Sequence, residues 1–341
     1  MRRLTVCDTA AARYNSPMPL FTLDELEAAT TVVRTLVPPT PAYAWPLLAR
    51  HAGCEVVVKH ENHTPTGSFK ARGGLVYGEA LRHGAELPRG LVTATRGNHG
   101  QSVAIAARRL GLPAVIVVPE GNSAEKNAAM EAFGGELVTA GKDFDASRLV
   151  AAQIQHNRGY HFVPSFHKEL VTGVATYAHE LFTAVADLDV VYVPIGMGSG
   201  ICGLISVRDL MGLRTEIVGV VAQNAPAFAL SMEAGRPVAT ETARTFADGM
   251  ACREPQPEPF DIIAKGAARV VSVSEDEIAQ AVRILYTATH NTAEGAGAAA
   301  FAALMQERAR LKGKRAGVIL SGGNIDMPVF ATILRGETPS V

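Results

Sequence analysis

The chain is poor in cysteine, and none of its cysteines has a neighbour. Cys7, Cys54, Cys202 and Cys252 are scattered, with no CxxC pair and no zinc-like spacing. That excludes a disulfide framework or a zinc module and predicts reduced, mostly buried thiols in a cytoplasmic protein. A charge excess is missing too: 32 basic side chains against 33 acidic ones leave a net charge of −1. A nucleic-acid or membrane-surface partner calls for a basic surplus, so neither is expected. No run is long and apolar enough to cross a bilayer, because the uncharged stretch from Val190 to Val207 is broken by Pro194 and four glycines. The N-terminal MRRLTVCDTAAARYNS holds three arginines, two of them next to the start, but no apolar stretch fit for a signal peptide. Repeats, charge blocks and long linkers are lacking as well, so any domains must be interwoven.

What is present is an ordinary globular composition with a modest glycine surplus. The 341 residues are 48% apolar and 19% charged, a length for one large or two ordinary domains. Glycine accounts for 32 of 341 residues, about 9% against a usual level of about 7%. From residue 90 onward, short β-branched runs alternate with helical patterns. Leu91–Thr95, Ala114–Val118, Glu136–Thr139, Val190–Val193, Ile217–Val221, Val270–Val273 and Gly317–Leu320 read as strands. Gln101–Leu110, Ser123–Phe133, Phe144–Asn157, Leu170–Ala184, Glu275–Thr289, Gly297–Leu311 and Met327–Leu334 read as helices, with a further helix over Leu20–Leu36. All-apolar strands alternating with helices give an α/β fold with parallel sheets covered on both faces.

Ligands of open α/β sheets sit beyond the carboxyl ends of the strands, and four segments there carry unusual residues. In KHENHTPTGSFKARGG (59–74), Lys70 follows a tight turn beside Phe69. Such a lysine is either a solvated surface group or a desolvated amine able to attack carbonyls. In ATRGNHGQS (94–102), a strand passes into a helix through Gly97 and Gly100, and Asn98 is either an N-cap or a ligand donor. In VYVPIGMGSGICGLIS (191–206), a strand runs through a glycine turn into a helix, which in physical terms is a phosphate cradle. Gly198, Gly200 and Gly203 fit the GxGxxG spacing of dinucleotide enzymes, yet the next strand ends in Ala222-Gln223 without the acid that would hold a ribose, so NAD is not expected. In ILSGGNID (319–326), Ser321 at a strand end is either a helix cap or a neutral hydroxyl for a ring nitrogen. An amine nucleophile, a phosphate cradle, an asparagine and a neutral hydroxyl together suit pyridoxal 5′-phosphate.

These segments resemble the fold-type II pyridoxal-phosphate enzymes, in the branch of threonine dehydratases, serine racemase and hydroxyaspartate dehydratases. The family's KxExxxxTGSFKxRG motif stands as Lys59 to Gly73, its N-H-[AG]-Q motif as Asn98 to Gln101, its ADG segment as Ala247 to Gly249 and its SGGN motif as Ser321 to Asn324. The resemblance runs from Pro39-Thr40-Pro41 to the last strand, with the motifs in the family's order. It implies two open, mostly parallel-sheet domains of the tryptophan synthase β-like architecture. Residues 88–166 would form a small mobile domain inserted in a larger one built from 1–87 and 167–341, and the chain is expected to be a homodimer. By the same resemblance Lys70 is the Schiff-base lysine and main acid/base, with Phe69 packed near the ring. Asn98 would bond the phenolic oxygen, Gly196, Met197, Gly198, Ser199 and Gly200 the phosphate, and Ser321 the ring nitrogen. Glu294 would lie beside the ring, and Thr95, Arg96 and His99 would face the substrate carboxylate.

The resemblance further implies a threonine/serine ammonia-lyase nearest the family's catabolic threonine dehydratases, without a C-terminal regulatory domain, acting on a small hydroxy amino acid. Four departures from the family pattern bear on substrate choice. Met197 and Ser199 interrupt the usual run of four glycines, though a cradle of backbone N–H groups tolerates them. Thr95-Arg96 replaces the serine that serves racemases as second acid/base, and an always-protonated arginine disfavours racemisation. Val221 and Ala227 occupy positions of acidic cation ligands, so no metal is expected. Pro164-Ser165-Phe166-His167-Lys168 replaces a run usually acidic, predicting a cationic pocket wall. Alternatives to threonine are 3-hydroxyaspartate, whose second carboxylate would pair with Arg96, a synthase that adds a second substrate, and a non-catalytic protein that binds a phosphate ligand.

Overall fold

The computed structural model describes residues 19–341. Cys7 and the N-terminal segment discussed above lie outside these described residues. Ten strands follow in chain order: β1 (Ala42–Ala44), β2 (Glu55–His60), β3 (Leu91–Ala94), β4 (Ala114–Val118), β5 (Gly135–Thr139), β6 (His161–Phe162), β7 (Val190–Pro194), β8 (Glu216–Ala222), β9 (Arg269–Val273) and β10 (Arg315–Leu320). They build a six-stranded sheet in the order β1-β2-β10-β7-β8-β9 and a four-stranded sheet in the order β5-β4-β3-β6. Every pairing is parallel except that of β1 with β2 at one edge. The last strand, β10, enters between β2 and β7, so the order of the larger sheet reverses there and crevices open at the carboxyl ends of β7 and β10.

The continuous apolar strands foreseen in the sequence are explained by burial on both faces. Val190 and Tyr192 of β7 point into one core with Val218, Val220 and the helices Glu275–Thr289 and Gly295–Gln306. Val191 and Val193 point into a second core with Ile217, Val221 and the helices Lys168–Ala184 and Ser199–Leu210. Each such side chain stabilises by about 1.5–3 kcal/mol relative to exposure, so both layers are needed to hold the sheet.

The structure departs from the sequence reading where polar residues interrupt the apolar pattern. Strand β2, EVVVKH, ends in Lys59 and His60, which are buried; two polar residues concealed the strand. Lys59 is accommodated because Glu180 accepts from its Nζ at 2.6 Å and the Thr40 carbonyl at 2.8 Å. The helix expected over 297–311 is shorter: it runs Gly295–Gln306 and is followed by a tight 3-10 turn, Arg308–Leu311. Leu311 remains in the core, which is why the apolar period ran past the true end. Cys54, Cys202 and Cys252 are buried, unpaired thiols. Among the described residues, no helix is long and apolar enough to cross a membrane.

Candidate active site

Two turns register the amine. Gly67 sits at φ +65°, a left-handed conformation that glycine adopts without strain. Thr64 Oγ1 closes this turn, donating to the Ser68 carbonyl at 2.7 Å and accepting from the Ser68 N–H at 2.9 Å. The turn is stitched to the end of β10, for Gly323 N–H donates to the Gly67 carbonyl at 2.9 Å. Lys70 then opens the helix Lys70–Arg82, half-buried rather than solvated. Its Nζ lies 3.2 Å from Ser199 Oγ and 5.1 Å from the centre of the Phe69 ring. Burial lowers its pKa to about 8, with the charge of Glu294 pulling the other way. About one amine in ten is therefore uncharged at pH 7.

Asn98 is not an N-cap: Gly97 occupies that position, and Asn98 is the first residue of the helix Asn98–Leu110. Its side chain instead reaches across, Nδ2 donating to Glu294 Oε1 at 2.7 Å while Oδ1 accepts from Asn324 Nδ2 at 2.8 Å. These two bonds fix which end of the amide faces the cavity. Ser321 is not a helix cap either, because the next helix starts at Met327 with Asp326 before it. The Ser321 hydroxyl has no hydrogen-bond partner among the described residues and lines the cavity.

Beyond β7 the backbone makes the cradle. Gly198 is the N-cap of Ser199–Leu210 at φ +99°. A Cβ at Gly196 would stand 2.2 Å from the Gly249 carbonyl oxygen, so only glycine lets these backbones approach. The N–H groups of the first helical turn are unpaired by helix geometry and offer donors to an anion.

One cavity brings together the residues expected to act on, bind or face cofactor and substrate carboxylate: Phe69, Lys70, Thr95, Arg96, Asn98, His99, Gly196, Met197, Gly198, Ser199, Gly200, Glu294 and Ser321. It also includes Lys126, Phe144, Ser165, Asp248 and Cys252. Of these only Asp248 belonged to a motif. Lys126 carries no local signal, since its carboxylate partners come from 122 residues away and further.

His99 lines the cavity from a buried position; burial and the nearby Lys70 charge lower its pKa to about 3, and its Nε2 has no hydrogen-bond partner among the described residues. One expectation is corrected: the cationic wall from residues 164–168 is not formed. Lys168 pairs with Glu25 at 2.5 Å and His167 with Glu169, leaving only Ser165 of that segment in the cavity. Arg96, by contrast, has no hydrogen-bond or ion-pair partner among the described residues and lines both this cavity and an adjoining cleft of mixed charge, where Lys142, Arg148, Arg244 and Arg253 face Asp143, Asp145, Glu241 and Glu254. Val221 lies buried in β8 and Ala227 opens a helix. No group of three or more His, Cys, Asp or Glu side chains among the described residues could hold a metal ion.

The donor set fits a flat, phosphorylated pyridine aldehyde. A near-neutral amine suits the aldehyde, the glycine turn at a helix start the phosphate, the oriented Asn98 amide a phenolate, and the unpartnered Ser321 hydroxyl a ring nitrogen. Comparison with known proteins agrees. The model of the pyridoxal-phosphate dependent enzyme family matches residues 33–322. An L-threonine ammonia-lyase of Thermotoga maritima is 33% identical over 319 residues, covering 93% of this chain and 79% of that protein. An L-threo-3-hydroxyaspartate ammonia-lyase of Saccharomyces cerevisiae is 28% identical over 92% of this chain and 96% of its own length. The structure of the processed form of threonine deaminase isoform 2 from Solanum lycopersicum superposes with a TM-score of 0.82 at 28% identity, over 92% of this chain and 94% of that one.

Proposed function

Because the chain belongs to the pyridoxal-phosphate dependent enzymes, we propose that it is a threonine and serine ammonia-lyase that converts L-threonine to 2-oxobutanoate and ammonia. Its cofactor is pyridoxal 5′-phosphate. The observation that carries the reading is the Lys70 amine, held near neutral pKa in one cavity with the glycine cradle, Asn98 and Ser321. When bound, the cofactor draws electrons from the amino acid's α-carbon and makes its proton removable. Lys70 would anchor it, and the N–H groups of 196–200 would hold its phosphate.

Lys70 Nζ takes the α-proton, with Ser199 Oγ beside it. The Lys70 ammonium then gives that proton to the β-hydroxyl, which leaves as water, and the enamine so produced takes up water to give the 2-oxo acid and ammonia. The neutral Ser321 hydroxyl would donate to the ring nitrogen without protonating it, a setting that suits β-elimination. Thr95, Arg96 and the N-terminus of the helix Asn98–Leu110 would receive the substrate α-carboxylate. Residues 88–166 are assigned to a small mobile domain, which the restriction of the four-stranded sheet to segments between 91 and 162 supports. The chain is proposed to be a cytoplasmic homodimer, the location being supported by its unpaired buried thiols.

The test is coupled detection of the 2-oxo acid from purified protein. Product from threonine or serine supports the reading, and no product from threonine, serine or hydroxyaspartate rejects the reaction class. A colourless protein that no borohydride treatment bleaches, yet retains a phosphate ligand, would point instead to a binding protein. One observation favours a second substrate, 3-hydroxyaspartate: the Arg96 guanidinium lines the cavity and has no hydrogen-bond or ion-pair partner among the described residues.

A further inference from the structure

Glu294 precedes the helix Gly295–Gln306 but does not cap it with its side chain. Its carboxylate is buried and turned inward. One oxygen holds the Asn98 amide at 2.7 Å, and the other lies 3.1 Å from Lys126 Nζ. Lys126 arrives from the opposite wall, on the helix Ala124–Ala132 that follows β4 of the four-stranded sheet. It is itself buried, and it donates to both oxygens of Asp248 at 2.8 and 2.6 Å.

The same helical turn crosses the cleft twice more. Ser123 Oγ donates to Asp326, and Glu125 accepts from the Met327 N–H at 2.7 Å. Three residues within four positions thus bind the six-stranded side. The charged groups that face Glu294 are Lys126 and Asp248 directly and Lys70 from across the cavity. Lys126 is the cation shared by the two carboxylates.

We propose that Lys126 is a positioning residue that clasps the cleft and carries the counter-charge of Glu294, so that closure fixes Glu294 as a carboxylate and, through it, the Asn98 amide. Withdrawing the ammonium on opening leaves a buried carboxylate beside Asp248, hydrogen-bonded by the Asn98 amide and with Lys70 only across the cavity. Burial and Asp248 both raise the proton affinity of Glu294, and Lys126 opposes them. An uncompensated buried charge neutralises itself by taking up a proton. A protonated Glu294 would turn a donor toward the Asn98 amide and release its orientation.

The clasp rests on the lyase reading only in placing the cofactor against Asn98, and its test needs bound cofactor but no turnover. In the cofactor-loaded protein, Lys126→Met should move the pH midpoint of the visible absorption band up by about one unit or more, and Lys126→Arg should restore it. Glu294→Gln should abolish the titration in both backgrounds. Asp248→Asn, which leaves Lys126 wholly to Glu294, should move the midpoint down, and it keeps the proposal testable if Lys126→Met fails to fold. In the cofactor-free protein, raising the proton affinity of Glu294 makes folding costlier as pH rises. The melting temperature of Lys126→Met should therefore fall further below the native one between pH 5 and 8, by about 2 °C or more, and not when Glu294→Gln is added. An unmoved midpoint in both Lys126→Met and Asp248→Asn overturns the proposal, as does a shift that persists with Glu294→Gln. A protein that shows these shifts yet makes no 2-oxo acid would sink the lyase reading and leave the clasp standing.

Discussion

The backbone N–H of Phe69 donates to the carbonyl of Ser321 at 3.1 Å. This bond places the residue before Lys70 against the residue that ends β10, so the amine and the hydroxyl proposed for the ring nitrogen share one rigid frame. Residues far apart in sequence thereby acquire fixed spacing before any ligand arrives, which is what catalysis by positioning requires.

Lys70→Ala should reduce 2-oxo acid formation by about 10³-fold or more, beyond the usual range of about 10²–10⁴ for one acid/base group only if anchoring is lost as well. Borohydride should no longer fix cofactor to the variant. Retained activity within tenfold of native would remove Lys70 from the mechanism.

Lys70 also sets a pH signature in the cofactor-free protein. Its folded pKa of about 8 lies below a lysine's ordinary value of 10.5, so between these values the unfolded chain binds more protons and native stability rises with pH. Relative to Lys70→Ala, the native protein should gain about 1–3 kcal/mol between pH 8 and 10.5 in denaturant unfolding. A flat difference would show that the amine is not desolvated.

Gly196→Ala places its Cβ 2.2 Å from the Gly249 carbonyl oxygen. Backbone meets backbone there, so no side chain can swing aside. The cradle must shift, and cofactor affinity should fall about tenfold or more, some 1.4 kcal/mol. Cofactor release by dialysis or fluorescence titration reads this directly.

Arg96→Ala separates the two substrate readings. If Arg96 holds a second carboxylate rather than the α-carboxylate, its loss costs about 1.5–3 kcal/mol, so kcat/KM for 3-hydroxyaspartate should drop about 10- to 100-fold while threonine changes less than about threefold. Equal changes for both substrates would eliminate the hydroxyaspartate reading.

Arg72→Met tests what holds the lysine helix. The fully buried Arg72 meets Glu61 at 2.7 Å and Glu180 at 2.9 Å, with Thr176 at 3.0 Å. Removing it takes the close cation from the buried Glu61, which keeps only Lys59 at 4.0 Å, while Glu180 keeps Lys59 at 2.6 Å; breaking such a buried pair costs about 3–5 kcal/mol. Denaturant unfolding should show that loss, and a change below about 1 kcal/mol would mean that the cluster relaxes.

What could be read along the chain was what the chain decides locally. The β-branched runs of β4 and β7 must be buried strands, and glycine turns between strand and helix must offer free N–H groups, so the α/β class and the cradle at 196–200 were legible. The segments around Lys70, Asn98 and Ser321 were legible as motifs, but each admitted a plain surface or capping role. Folding removed those alternatives by taking Asn98 away from its own helix to Glu294 and by leaving Ser321 without a helix to cap. Lys126 and strand β2 were hidden for a shared reason. A lysine is buried only when its carboxylates are supplied, and Glu180 and Asp248 stand 121 and 122 residues away from the lysines they neutralise. Sequence thus determined where the backbone could bend and where it must be apolar. Tertiary structure alone decided which charges meet, because desolvation is repaid only by a partner that folding brings within reach.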